Sequence, residues 1–170
     1  PVVEGSTLDV RSACELFESQ LVARHLDIEA RLLKKRNEGF YTIGSAGHEG
    51  NVVLGRLVRA TDPSFLHYRS GALMVERARQ LPGSTPIFDV LLSLVAAADD
   101  PVSGGRHKVF GSVEGWVPPQ TSTIASHLPK SVGCAFAIER ARALGLPLPV
   151  PADSITLCTF GDASTNHGVS

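Results

Sequence analysis

Ser154-Ile155-Thr156-Leu157-Cys158-Thr159-Phe160 runs straight into Gly161-Asp162-Ala163-Ser164-Thr165-Asn166-His167-Gly168. The first seven residues are rich in β-branched and apolar types and follow Pro147, Pro149 and Pro151. They predict a buried strand of a parallel sheet. Asp162 follows on a glycine turn at the strand's C-terminal end, which is where open α/β sheets bind ligands. One carboxylate there, among small residues, suits a magnesium ion held mostly by phosphate oxygens and water. Taken alone, the stretch is better explained as a strand, a polar turn and a capping Asp or Ser. The helix expected after the turn, and the rest of the ion's shell, are expected beyond Ser170.

Upstream, the pattern is helical. Over residues 7–38, Val10, Ala13, Phe17, Leu21, Ile28 and Leu32 recur at helical spacing and mark the expected buried face. Lys34, Lys35 and Arg36 load the last turn, and Gly39 is the expected stop. A second helix is expected over residues 47–60, ended by Asp62-Pro63, and a short strand over residues 64–68. Helices follow over 72–80 and 87–98. Residues 99–120 form a long loop with glycine and proline, of a length that is usually functional or disordered. Residues 124–144 are again helical, with Pro129 kinking the helix or marking its first turn. No internal repeat or low-complexity tract is visible. The fold class is α/β, a mostly parallel sheet with helices on both faces.

Composition narrows the partners. The 170 residues carry 16 Lys and Arg against 17 Asp and Glu. No basic block stands out, so neither nucleic acid nor a membrane surface is expected as a partner. No apolar run of transmembrane length and no signal-peptide pattern occurs. The first residue is Pro1, so the native N-terminus is expected upstream. Cys14, Cys134 and Cys158 lack metal or redox spacing and read as small buried hydrophobes in a reducing compartment, the cytoplasm.

Polar groups gather where the chain changes element. Tyr68-Arg69, beside Gly71, can fork hydrogen bonds onto a phosphate, although by itself a surface Arg at a helix N-terminus is the better explanation. Thr121, Ser122, Thr123 and Ser126 place four hydroxyls at an expected helix start, as caps or as ligands for a small molecule or monovalent ion. Gly104-Gly105-Arg106-His107-Lys108 can cover an anion or form a solvated turn, and His107 on it is the candidate catalytic group. Gly44-Ser45-Ala46-Gly47-His48-Glu49-Gly50 lacks the preceding strand and the spacing of a dinucleotide fingerprint. The six histidines show no zinc spacing. Gly161-Asp162 with Ser164 lacks the elbow and the following partners of a serine hydrolase.

In order, Tyr41 to Gly50, His67-Tyr68-Arg69-Ser70-Gly71, residues 121–133 and residues 161–167 resemble the α part of the thiamine diphosphate-dependent 2-oxo acid dehydrogenases, the E1 component family. The resemblance covers nearly the whole chain. It implies the N-terminal portion, residues 1–170, of one thiamine diphosphate-binding domain, cut after the first half of the magnesium and diphosphate motif. It implies that Tyr68 and Arg69 hold the diphosphate, that His67 lies beside the cofactor, and that Ser122 and Ile124 face the thiamine. Asp162 matches the magnesium ligand. Gly161, Ala163 and Ser164 complete that motif, with Ala163 where the family more often has glycine, so the backbone must take a conformation that alanine allows. Thr121, Thr123 and Ser126 stand where some members hold potassium, and His127 replaces their glutamine. Phe40 and Tyr41 are the expected substrate wall. The glutamate that activates the aminopyrimidine belongs to the family's β part, and Glu49 is not its equivalent.

The implied activity is decarboxylation of a 2-oxo acid and transfer of the acyl group to a lipoyl-bearing E2 partner. The implied assembly is two-fold symmetric and includes the β part, fused or separate. Two other classes suit the residues: a transketolase-like enzyme or simple decarboxylase using the same cofactor, and a non-catalytic interaction piece. Tyr68-Arg69 and the Ser122-to-Ile124 stretch favour the dehydrogenase over the first.

Overall fold

Two short parallel strands organise the chain, and the helices between them form the crossover. The computed structural model describes residues 4–168. In chain order it has α1 (Val10–Lys35), a 3₁₀ turn (Glu49–Asn51), α2 (Val52–Leu57), β1 (Ser64–Phe65), α3 (Gly71–Ala78), α4 (Pro86–Leu94), α5 (Leu128–Ala143), β2 (Leu157–Cys158) and a second 3₁₀ turn (Asp162–Asn166). Ser64 pairs with Leu157 and Phe65 with Cys158. The Leu157 N–H donates to the Pro63 carbonyl and the Thr159 N–H to Phe65. The protein is therefore α/β, and its strand pair is parallel as expected.

The strand is shorter than residues 154–160 and is not buried on both faces. The Ile155 N–H donates to the Asp62 carboxylate at 3.2 Å, so its partner is a side chain instead of a neighbouring strand. Ile155 is 56 % and Phe160 44 % exposed. The turn after Phe160 continues as the 3₁₀ turn over Asp162–Asn166.

Helix α1 is three residues shorter at each end than the expected 7–38 and has the opposite inner face. Asp9 caps it through a 2.6 Å bond from the Ser12 N–H. It stops before Gly39, because Asn37 takes the left-handed conformation (φ 60°). Ser19, Ala23, Ala30 and Leu33 face inward. Val10, Phe17 and Leu21 are 70, 59 and 43 % exposed, and Ile28 and Leu32 also face out. At about 100° per residue these two sets lie on opposite sides of the helix. Small side chains on the inner side let α1 approach α3 closely, so the large apolar stripe is left outside. Cys14 is exposed on that stripe, contrary to its expected burial. Cys134 and Cys158 are partly buried.

Small clusters make up the core. Ala23, Val52 and Ala72 join α1, α2 and α3. Ala30, Leu33 and Leu94 join α1 to α4. Leu66, Leu73 and Val117 pack with Leu157 beneath the strands. Gly55 permits the α2–α3 contact, since a Cβ there would lie 2.6 Å from the Leu73 carbonyl oxygen. Helix α5 starts four residues later than expected. Ala125 has φ 61°, outside the helical region, and Pro129 falls in the first turn. The four hydroxyls of residues 121–126 thus precede the helix, and no side chain caps it.

Buried charges form a network that the sequence reading does not contain. The Glu76 carboxylate, 2 % exposed, accepts from Arg56 at 2.7 Å and from Ser19 at 2.6 Å, and Arg79 lies 3.2 Å away. Arg56 also bonds Glu15 at 2.8 Å. Arg77, 1 % exposed, donates to the carbonyls of Gly115, Ala60 and Asp62. Among the described residues, no helix is long and apolar enough to cross a membrane.

Candidate functional site

Parallel strands end on the same side, so the residues after β1 and after β2 meet. Thr159 holds this junction. Its hydroxyl accepts the His67 N–H at 2.9 Å and lies 3.0 Å from the Ser70 hydroxyl. Its carbonyl accepts from His127 Nε2 at 2.8 Å, which ties the start of α5 to the exit of β2. The sequence departure at His127 therefore has a structural role.

His67, 5 % exposed, faces the glycine turn. A Cβ on Gly161 would lie 3.7 Å from His67 Nε2. The Arg69 N–H donates to His67 Nδ1 at 3.3 Å, so the neutral ring carries its proton on Nε2, toward that turn. Burial, with His48, His127 and Arg69 nearby, lowers the His67 pKa to about 4. The His48 ring stacks on His67 with centroids 4.7 Å apart and planes 7° apart. Burial and then Arg69 lower the His48 pKa, against the opposing pull of Glu49 and Asp162. His48, His67, Arg69 and Asp162 thus share one electrostatic environment. His48 was missed in the sequence, and the signal was there in the Gly44-to-Gly50 junction.

Arg69 precedes α3. Its Nη1 donates to the Gly44 carbonyl at 2.7 Å, and its guanidinium lies 5.6 Å from the Tyr68 ring centroid. No carboxylate pairs with it among the described residues. A Cβ at Gly44 would sit 2.6 Å from Asp27 Oδ2, so glycine leaves room there for the Asp27 carboxylate. Asp162 is exposed at the start of its 3₁₀ turn. Its backbone carbonyl accepts from Thr165 at 2.7 Å. Its carboxylate has no cation within ion-pair distance among the described residues. Gly161 is extended, Ala163 is exposed and keeps a negative φ, and Ser164 is buried.

The second predicted group adjoins this one through Tyr41. Its hydroxyl lies 3.2 Å from Ser122 Oγ, and the Ser122 N–H donates to His107 Nε2 at 3.3 Å. Burial raises the Tyr41 pKa, and the charges of Tyr68 and Arg69 also act on it. Ser122, Tyr41 and His107 therefore come together. Ile124 and Phe40 are 47 and 74 % exposed, so Phe40 stands in solvent beside Tyr41. A cavity of about 30 Å³ adjoins Tyr68 and Gly71, while a groove of about 640 Å³ under Trp116 shares no residue with the strand-end cluster.

The residues present fit a diphosphate with one magnesium ion. Arg69 follows β1 without a carboxylate partner among the described residues, His67 Nε2 lies beside the Gly161 turn, and the exposed Asp162 carboxylate follows that turn. Among the described residues, no group of three or more His, Cys, Asp or Glu forms a metal site by itself; a magnesium ion shared with phosphate oxygens needs only one or two carboxylates. Potassium does not fit as well. Thr121 and Thr123 are exposed and bond each other at 3.1 Å, while Ser126 Oγ is buried without a partner among the described residues. These hydroxyls do not form one cage.

No protein-family model and no curated protein sequence matches the chain.

Proposed function

We propose that this chain is the α-type part of a thiamine diphosphate-dependent 2-oxo acid dehydrogenase. The observation that carries the reading is the meeting of His67, Arg69 and the Asp162 turn at the ends of two parallel strands, each with polar capacity unused by the protein. Arg69 neutralises the diphosphate through its free guanidinium nitrogens. Asp162 supplies the protein's carboxylate to the magnesium ion. His67 remains neutral above about pH 4 and offers Nε2–H as a fixed donor without adding charge. Bound thiamine diphosphate supplies the nucleophilic carbon and the electron sink for decarboxylation. Tyr41, Ser122 and Ile124 line the approach on the thiamine side, and His107 orders Ser122. His107 is the candidate proton-transfer group.

The outward faces support a partner. Val132 and Phe136 on α5 are 69 and 66 % exposed, and Phe17 on α1 is 59 % exposed. Apolar patches of this kind mark protein contacts. In this reading they meet the β part, which brings the activating glutamate, in a two-fold assembly served by a lipoyl-bearing E2. The same faces would serve a non-catalytic interaction piece. Lipoyl-dependent acyl transfer by the protein with its co-purifying chains separates the readings: acyl transfer supports the dehydrogenase. Decarboxylation without it leaves a different enzyme of the same cofactor, and failure to bind the cofactor leaves the interaction piece.

A further inference from the structure

The groove under Trp116 lies outside the proposed cofactor site and has a chemistry of its own. It measures about 640 Å³, a size suited to a small molecule. Met74, Leu81, Val102, Val113 and Trp116 are among its apolar walls. Among the described residues, its lining carries two acids, Asp89 and Glu114, and no Lys, Arg or His. Asp89 also borders a smaller cavity of about 20 Å³ lined by Val90 and Phe110. Glu114 stands exposed on the hairpin that ends in Trp116 and Val117.

That hairpin is tied to the rest of the fold at its base. Ser112 and Val117 exchange both backbone bonds, at 3.0 and 2.8 Å. The Trp116 carbonyl accepts the Ser64 N–H at 2.8 Å, and the Gly115 carbonyl accepts from Nε of the buried Arg77 at 2.9 Å. These bonds hold Trp116 at φ 49°, a backbone conformation that a bulky residue rarely adopts. The wall is therefore shaped before a ligand arrives, which spares the ordering cost of binding. Its charges are left open. Asp89 Oδ1 accepts from Thr85 at 3.0 Å. Among the described residues, Asp89 Oδ2 and the Glu114 carboxylate accept no hydrogen bond, and neither acid has a cation within 4.0 Å. Asp89 also suits the first turn of α4, but Glu114, in a hairpin, has no such local use.

We propose that this groove binds an organic ammonium ion with a bulky hydrocarbon body, the body against Trp116, Leu81 and Met74 and the ammonium toward Asp89 and Glu114. Charge complementarity decides the class. An anion would meet two carboxylates and no cation, and a neutral hydrocarbon would leave the carboxylates unmatched. The Trp116 indole adds a π face, which favours a cation further. The groove's volume matches a whole small molecule instead of one lysine side chain, so the occupant is a free amine. It shares no residue with the strand-end cluster, and the proposal does not rest on the dehydrogenase reading.

The test is calorimetric titration of the protein as isolated with three probes of one shape: adamantylmethylamine, adamantylmethanol and adamantanecarboxylate. They differ at neutral pH in charge alone. The amine should bind roughly tenfold tighter than the alcohol, and the carboxylate more weakly than either. Glu114→Gln, at an exposed position, should by itself lower the preference for the amine about threefold. Asp89→Asn combined with Glu114→Gln should bring the amine down to the level of the alcohol, with alcohol binding unchanged as the sign of an intact groove. Trp116 is the one tryptophan of the 170 residues. The amine should therefore shift tryptophan emission in the parent, and Trp116→Phe should lack that shift. Equal binding of amine and alcohol overturns the proposal, as does tighter binding of the carboxylate. So does a preference that survives in the double variant, or an emission shift that survives in Trp116→Phe. Binding of Nα-acetyl-lysine amide as tight as that of adamantylmethylamine overturns it too, by making a lysine side chain the occupant.

Discussion

The charge network between α1, α2 and α3 and the cluster at the strand ends are built from the same residue types and differ in how many charges they leave open. In the first, Glu76 has Arg56, Arg79 and Ser19 around it, and Arg77 is held by three carbonyls. In the second, Arg69 has one carbonyl and the Asp162 carboxylate has no ion pair among the described residues. The first holds elements together and leaves only Arg77 Nη1 buried without a partner among the described residues. Open charges contribute little to folding and are free to bind.

The comparison predicts opposite effects of mutation in the two regions. Glu76→Ala leaves two arginines partly buried without their carboxylate, so it should destabilise the fold by about 3–5 kcal/mol in chemical denaturation. Glu76→Gln should lose less, because it keeps an acceptor. If Glu76→Ala melts like the parent, the network does not carry the stability assigned to it.

Arg69→Ala should weaken thiamine diphosphate binding by about 2–4 kcal/mol with little change in denaturation midpoint. Arg69→Lys should recover only part of the affinity, since the fork is lost. Full recovery by Lys would make Arg69 a distant point charge.

The third effect is on pH dependence. His67 has a folded pKa of about 4 against its ordinary 6.5, so between those values the unfolded chain binds more protons. Stability should therefore rise with pH from about 4 to 6.5, by about 2–3 kcal/mol over the window. His67→Phe should flatten that rise while leaving the loss below pH 4, where Asp62 and Asp100 protonate. Both carboxyls lie below their ordinary value, despite burial, because hydrogen bonds hold them ionised, chiefly from Arg59 at Asp62 and from Ser103 at Asp100. An unchanged slope in His67→Phe would assign the pH dependence elsewhere.

The smallest effect is expected on the outer face of α1. Phe17→Ser should change the stability of the isolated chain by no more than about 0.5 kcal/mol, because Phe17 is already 59 % exposed. It should instead weaken association with the proposed β part in sedimentation. A large loss of stability with unchanged association would mean that this stripe packs within the chain.

Sequence legibility follows the same divide. That Asp162, Arg69, Tyr68 and His67 sit where elements end was readable, because strand runs and glycine turns mark those ends in the sequence. The parallel strand pair was readable from β-branched runs set between proline and glycine. The inner face of α1 was not, because Phe17, Leu21 and Ile28 carry the periodic pattern of a core and periodicity does not say which partner covers it. Glu76 and Ser19 pair across 57 positions, a distance over which neither spacing nor composition carries a signal. The start of α5 was misplaced because nothing in the residue types marks the left-handed turn at Ala125.

The most direct test of the strand-end site is calorimetric titration of thiamine diphosphate into the protein with its co-purifying chains, with and without magnesium, alongside Asp162→Ala. Binding that requires magnesium, and that disappears in Asp162→Ala while its melting temperature stays with the parent, is the predicted result. Equal affinity in Asp162→Ala, or no binding to the parent at any magnesium concentration, would contradict the account.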